Sequence, residues 1–346
     1  MTKRERFIRT VERLEVDHPA SWLGMPTENA MPNLLHHFKA KDLRELKIRL
    51  GDDVWPVDVP YHHPPANHVA CAFDFAKSAG ADYEERTLTA PGFFEGIEDC
   101  GEVGKFKWPN PKEHMDAREC AKAVASIPDD YAALGVMWSA HFQDACAAFG
   151  MESALMTMLS APEMFDAVIG RIVRFYLEAN AIFYEAGAKR INAVLIGNDL
   201  GSQTGLMLSP DLIRRFVLPG TKLLVDQAKS YGFKVMHHSC GAVREIIPDL
   251  IDIGVDVIHP IQTLAAGMEP EGLKHDFGSR VSFCGGVDVQ HLMTHGTPQQ
   301  VREEVVRLRK LFPSGLIFSP SHEALMPDVP PANVAAMFDE CKRQET

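Results

Sequence analysis

Lys234-Val235-Met236-His237-His238-Ser239-Cys240-Gly241 is a short β-type run that passes at once into polar and metal-binding side chains. Five more runs of this kind occupy residues 134–138, 193–197, 256–259, 281–284 and 316–319. Longer amphipathic stretches separate them, such as 210–231, where Leu212, Phe216, Leu223, Leu224 and Ala228 fall roughly on one face. This alternation is how a parallel sheet with crossover helices looks in sequence. Two earlier runs, 20–24 and 54–57, flank an amphipathic stretch with Leu34, Leu35, Phe38, Leu43, Leu46 and Ile48, and they bring the count to eight. Eight strands in βα order predict an α/β fold, a (β/α)8 TIM barrel forming a single domain over residues 1–346. No Gly-x-Gly-x-x-Gly follows the first run, so a dinucleotide-binding open sheet loses its main support. Residues 56–130, most irregular from Pro56 to about Pro111, read as an insertion or lid after the second strand, built of loops.

A barrel of this kind carries its chemistry at the C-terminal ends of the strands. Here those ends hold Asn198-Asp199, His238-Ser239-Cys240, His259 with Gln262, Gly285-Gly286-Val287-Asp288 and Ser321-His322-Glu323. Asp199, His259, Gln262 and Asp288 are therefore candidate catalytic residues around one cavity, and Asp199 reads equally as the cap of a following turn. In an extended strand residues i and i+2 point to the same side, so the His238 imidazole and the Cys240 thiol can reach one point. With one further ligand, the pair suits catalytic zinc, which accepts imidazole nitrogen and thiolate sulfur and keeps a fourth position open. His322 is the candidate third ligand and Cys284 its competitor. The same His-x-Cys also reads as a buried histidine beside a small apolar cysteine. Gly241 lets the backbone turn away and leaves the thiol at the mouth.

Other features have blander readings. His62 and His63 lie in a Pro-rich loop that either covers a cavity or is simply solvated. His36, His37, His291 and His295 read as surface residues, and the three Met within 151–158 as core at helical spacing.

The chain's 35 Lys and Arg stand against 47 Asp and Glu, a net charge of -12, with no dense basic run. That balance argues against a nucleic-acid partner. The seven Cys are scattered and never form Cys-x-x-Cys, the usage of a reducing compartment. No apolar run approaches membrane-spanning length, and residues 1–9 lack a signal-peptide core, so a cytoplasmic protein with no membrane association is expected.

Taken together, Asn198-Asp199-Leu200-Gly201, His238-Ser239-Cys240-Gly241, Gly254-Val255-Asp256, His259-Pro260-Ile261-Gln262, Gly285-Gly286-Val287-Asp288 and Ser319-Pro320-Ser321-His322 resemble the uroporphyrinogen decarboxylase superfamily. Arg4-Glu5-Arg6-Phe7, Leu23-Gly24-Met25-Pro26-Thr27 and Gly51-Asp52-Asp53 look like its branch of cobalamin-dependent methyltransferases, which includes methylcobalamin:coenzyme M methyltransferase. The decarboxylases carry an Arg-rich segment where this chain has Trp22-Leu23-Gly24-Met25-Pro26-Thr27, without Arg, to grip a polycarboxylate. The resemblance implies zinc on His238 and Cys240, and a methyl group moved between a corrinoid (cobalamin) and a small-molecule methyl donor or acceptor. No Asp-x-His-x-x-Gly segment is present, so the corrinoid is expected on a separate corrinoid-binding protein. The chain departs from the methyltransferase pattern at His322, where those enzymes have Cys and the decarboxylases have His, so the resemblance leaves His322 either a zinc ligand or a remnant without metal. One thiolate in place of two gives a less electron-rich site and argues against coenzyme M as the substrate. The alternatives are a metal-independent decarboxylase or lyase using His322 and Asp199 as acid and base, and a non-catalytic binding member of the superfamily.

Overall fold

The computed structural model describes residues 1–63, 67–75 and 90–343. Its centre is one curled, all-parallel sheet of seven strands in sequential order: β1 (Val54–Asp58), β2 (Ala132–Trp138), β3 (Ala193–Gly197), β4 (Lys234–His238), β5 (Val257–Ile261), β6 (Ser282–Val287) and β7 (Leu316–Pro320). Each connection returns over the outside through helices, the longest being Pro162–Gly187, Leu218–Ser230 and Pro298–Leu311.

The expected first strand, 20–24, is a bridge rather than a ladder. Ser21 pairs with Phe318 of β7; the Trp22 N–H donates to the Phe318 carbonyl and the Phe318 N–H to that of Ala20, both at 2.8 Å. On its other side the Asp53 N–H, one residue before β1, donates to the Ser21 carbonyl at 2.9 Å. The segment therefore ties the two edge strands together. Pro19 before it and Gly24 after it, at φ 80°, keep it too short to count as a regular strand.

Alternation along the strands sets the core. Val54, Leu134, Val136, Ala193, Leu195, Met236, Val257, Cys284 and Ile317 point into the curl, where they meet Trp22 and, from the helix Lys3–Val11, Phe7 and Val11. That helix is fixed to the sheet by the buried pair Arg6 Nη1–Asp53 Oδ1 at 2.5 Å. A second, larger apolar layer lies between the outer face of the sheet and the helices.

Two amphipathic stretches divide where sequence periodicity runs through. Residues 31–50 form two helices, Met31–Phe38 and Leu43–Leu50, because Lys39 caps the first in a left-handed conformation and the Asp42 side chain caps the second. Residues 210–231 begin helical, widen into a π turn at Ile213–Val217 and resume at Leu218, where Pro219 offers no N–H to the preceding turn. The connection between β1 and β2 holds short helical turns, Val69–Cys71, Cys100–Lys105 and Pro111–His114, then the helix Ala117–Ala125, and no strand among the described residues. Residues 64–66 and 76–89 of the expected insertion lie outside the described residues. Phe73, Phe75, Phe94, Phe106 and Trp108 form an aromatic cluster there, seated on Phe175 of Pro162–Gly187.

Candidate metal centre

Two residues beyond each inward core position, the strands reach their C-terminal ends and the lining changes. Above Met236 stands His238, above Val257 stands His259, and β3 and β6 present Gly197 and Gly286. Register places Gly197, His238 and His259 side by side on β3, β4 and β5. A Cβ on Gly197 would come within 2.1 Å of the His238 carbonyl, so glycine is what allows the backbones to approach here.

His238 organises the site through both ring nitrogens. Nε2 lies 3.5 Å from Cys240 Sγ and 3.2 Å from Asp199 Oδ1. Nδ1 lies 3.2 Å from His259 Nδ1 and 3.5 Å from Glu323 Oε2. The Cys240 N–H donates to Asp199 Oδ1 at 3.1 Å, and the next amide, Gly241, donates to Gln262 Oε1 at 2.7 Å. Gly241 has φ 82°, a turn a side chain would resist, and these two bonds present the thiol toward His238. The donor atoms of Asp199, His238 and Cys240 all fall within 4.8 Å of one another, as do those of His238, His259 and Glu323.

The electrostatics follow from this packing. Burial would strip His238 of its charge, yet the hydrogen bonds to Asp199 and Cys240 and the charge of Glu323 outweigh it and raise the imidazole to about 10. Burial likewise disfavours the Cys240 thiolate, but hydrogen bonds from His238 and His322 bring the thiol below its ordinary value. The hydrogen bond to His238 holds Asp199 down to about 2. Contact with Cys240 raises His322. His259, fully buried against Trp22 and facing the charged His238, is pushed well below the usual histidine range.

Of the residues expected at the site, His238, Cys240, Asp199, His259, Gln262 and His322 come together. Asp288 does not join them: its carboxylate accepts the backbone N–H groups of Gln290, His291 and Leu292, and it lines a cleft of about 600 Å³ with Glu271, His291 and Arg307. Cys284 stays one layer lower, fully buried beside Ile317 among the inward apolar side chains, and burial raises its thiol. It is in neither group of neighbouring donor atoms. His62 is on the surface, paired with Glu119, and His36, His37, His291 and His295 are exposed. Among the methionines of 151–158, Met158 is core whereas Met156 is 62 % exposed.

Two residues of the site were not singled out by sequence reasoning. Glu323 is buried, and its Oε2 has no hydrogen-bond partner; its place directly after His322 was the available signal. Trp138 ends β2 at φ 53° and lays its ring edge-on to His238, centroids 5.3 Å apart.

A sequence model of uroporphyrinogen decarboxylase matches residues 2–344. The chain belongs to the uroporphyrinogen decarboxylase family. That family is one of TIM barrels, in keeping with a curled parallel sheet whose edge strands are tied by residues 20–22. A methyltransferase from Methanosarcina mazei superposes with a TM-score of 0.70 at 15% identity, over 99% of this chain and 98% of that one, so this family member shares its fold. A structure described as a vitamin-B12-independent methionine synthase from Listeria monocytogenes gives a TM-score of 0.45 at 12% identity, over 94% of this chain and 95% of that one, a likeness too weak to argue from. No curated protein matches in sequence.

Proposed function

We propose that this member of the family is a zinc-dependent methyltransferase, moving a methyl group between a corrinoid on a separate protein and a small thiol or methylated substrate. The observation that carries the reading is the His238 Nε2–Cys240 Sγ pair, 3.5 Å apart at the C-terminal end of the sheet, with a third donor atom beside it. The donor types fit zinc: one imidazole, one thiolate-prone cysteine and an oxygen or nitrogen. His259 Nε2 and Glu323 Oε2, buried without hydrogen bonds, mark the interior side of the same ring as a second layer around an ion. Residues 20–22 are read as the eighth strand of a closed barrel, and residues 56–130 as a lid over its mouth.

When bound, zinc supplies Lewis acidity that lowers the pKa of a thiol or polarises a methylated substrate near neutral pH. The chain's own residues prepare the site. His238 and His322 draw the Cys240 thiol toward thiolate, against the charge of Asp199, which instead favours a proton on the His238 ring. Gln262 fixes the turn at Gly241, and Trp138 shields the His238 ring. Asp199, with its side chain half exposed, marks the side from which substrate and the corrinoid protein approach. The segment 22–27 carries no Arg to neutralise a polycarboxylate, which favours methyl transfer over porphyrinogen decarboxylation. The cysteines are scattered and form no Cys-x-x-Cys, as suits the cytoplasm.

The test combines metal analysis with single-turnover assays using methylcobalamin and a panel of thiols. One zinc per chain and methyl transfer lost in His238→Ala and Cys240→Ala support the reading. A metal-free protein whose decarboxylase or lyase turnover ignores both substitutions would replace it with acid–base chemistry on His322 and Asp199. Zinc and a corrinoid protein bound without turnover would make the chain a binding member.

A further inference from the structure

A zinc-ligating histidine binds the ion through one ring nitrogen and donates the proton on the other to a carboxylate, a carbonyl or water. His238 satisfies this. Its Nε2 faces Cys240 and Asp199, while Nδ1 faces the acceptors Glu323 Oε2 and His259 Nδ1. His322 does not. Its Nδ1 accepts the Ala324 N–H at 3.0 Å, so the neutral ring carries its proton on Nε2. A ring fixed in that tautomer has no lone pair left for an ion, and its one N–H is what remains to act on the Cys240 thiol, which His322 lowers.

Asp199 fills the place. Its Oδ1 is 3.2 Å from His238 Nε2, it accepts the Cys240 amide at 3.1 Å, and its oxygen, the imidazole nitrogen and the sulfur share one 4.8 Å neighbourhood. Charge points the same way. One thiolate and one carboxylate neutralise a divalent ion as two thiolates would, whereas one thiolate with two imidazoles leaves a positive site.

We infer that Asp199, together with His238 and Cys240, is the third protein ligand of the metal, and that His322 is a hydrogen-bond donor to the Cys240 sulfur. The inference rests on the zinc reading and deepens it. The site becomes a His-Cys-Asp set with its fourth position open to solvent beside the half-exposed Asp199. A substrate thiol arriving there meets His322 as the group that tempers the sulfur already bound.

The experiment uses the full chain stripped of metal, with Zn²⁺ and Co²⁺ titrated against a competing chelator and folding checked by circular dichroism. Asp199→Asn keeps an oxygen for the Cys240 amide; it should weaken both metals by at least ~100-fold, since a lost ligand costs more than the loss of an outer partner. His322→Gln keeps an acceptor for the Ala324 amide and should leave affinity within about threefold, while shifting the sulfur-to-cobalt charge-transfer band, because the sulfur loses its donor. Asp199→Cys should restore tight binding with two sulfurs in the zinc-edge spectrum, where the native protein shows one. Loss of affinity in His322→Gln with Asp199→Asn unaffected would overturn the assignment and leave the zinc reading standing. A native chain that binds neither ion would overturn both.

Discussion

Glu323 Oε2 lies 3.5 Å from His238 Nδ1, at the ring nitrogen turned away from Asp199 and Cys240, and 3.6 Å from His322 Nδ1. A carboxylate in this position fixes the tautomer and raises the basicity of a ligating imidazole. Glu323→Gln should therefore fold normally yet bind zinc ~10–100-fold more weakly, as measured by chelator competition. Unchanged affinity would mean that His259 alone orients the ring.

Zinc should stabilise the protein only through this site. At 100-fold excess over Kd, free zinc adds ~2.7 kcal/mol to a one-site protein. A thermal melt of the native chain should shift upward accordingly, while His238→Ala and Cys240→Ala should melt at the same temperature with and without the ion. A shift that survives in both variants would place the ion elsewhere.

Cys284 belongs to the apolar interior, one layer below His238. Cys284→Ala should retain one zinc per chain and lose about 1 kcal/mol of stability, the cost of removing one buried heavy atom. Loss of zinc in this variant would return Cys284 to the ligand set.

Gly197 gives the His238 backbone room that no other residue would leave. Gly197→Ala should cost 1–3 kcal/mol or more through overpacking. It should also weaken metal binding, because the strand bearing His238 must move. Urea unfolding and metal titration of this variant report the two effects separately.

His237, adjacent to His238 but facing the helices, is fully buried, and neither ring nitrogen has a partner. Burial, then the charges of His238 and His141, depress it to about 3, with Asp199 opposing. Burial also lowers His141. The unfolded histidines take up protons near their ordinary value of ~6.5, so the stability they contribute is whole above that pH. It is lost progressively as pH falls toward about 3. Urea midpoints between pH 7.5 and 4.5 should fall, and His237→Leu should flatten the fall; identical slopes would remove His237 as the cause.

The strands were legible because buried β runs bounded by turns are a local signal, and six of the eight expected runs overlap regular strands at β2 to β7 with 54–57 giving β1. The run 20–24 fell short because its pairing depends on Phe318 and Asp53, partners far away in sequence. The two divided helices were missed for a local reason, the left-handed cap at Lys39 and the π turn before Pro219. At the site, the spacing of His238 and Cys240 in an extended chain predicts their meeting. Which partner completes the set did not follow from spacing. It turns on the hydrogen bond between the Ala324 amide and His322, a tautomer decided by backbone geometry. Asp288 illustrates the reverse case, a polar residue at a strand exit whose carboxylate is used up by local amides.

The segment after the bridge continues beside the loop that follows β7. The Met25 and Thr27 amides donate to the carbonyls of Glu323 and Leu325, and a Cβ on Gly24 would press on the Glu323 carbonyl at 2.4 Å. Residues 25 and 27 thus anchor a loop 298 residues further along the chain. A growing polypeptide on the ribosome holds Asp199, His238 and Cys240 well before it holds Glu323, and it cannot tie its edge strands until Phe318 has emerged. Sequence-distant pairing of this sort slows folding, so the tie between residues 20–27 and the end of β7 should be among the last contacts the chain completes.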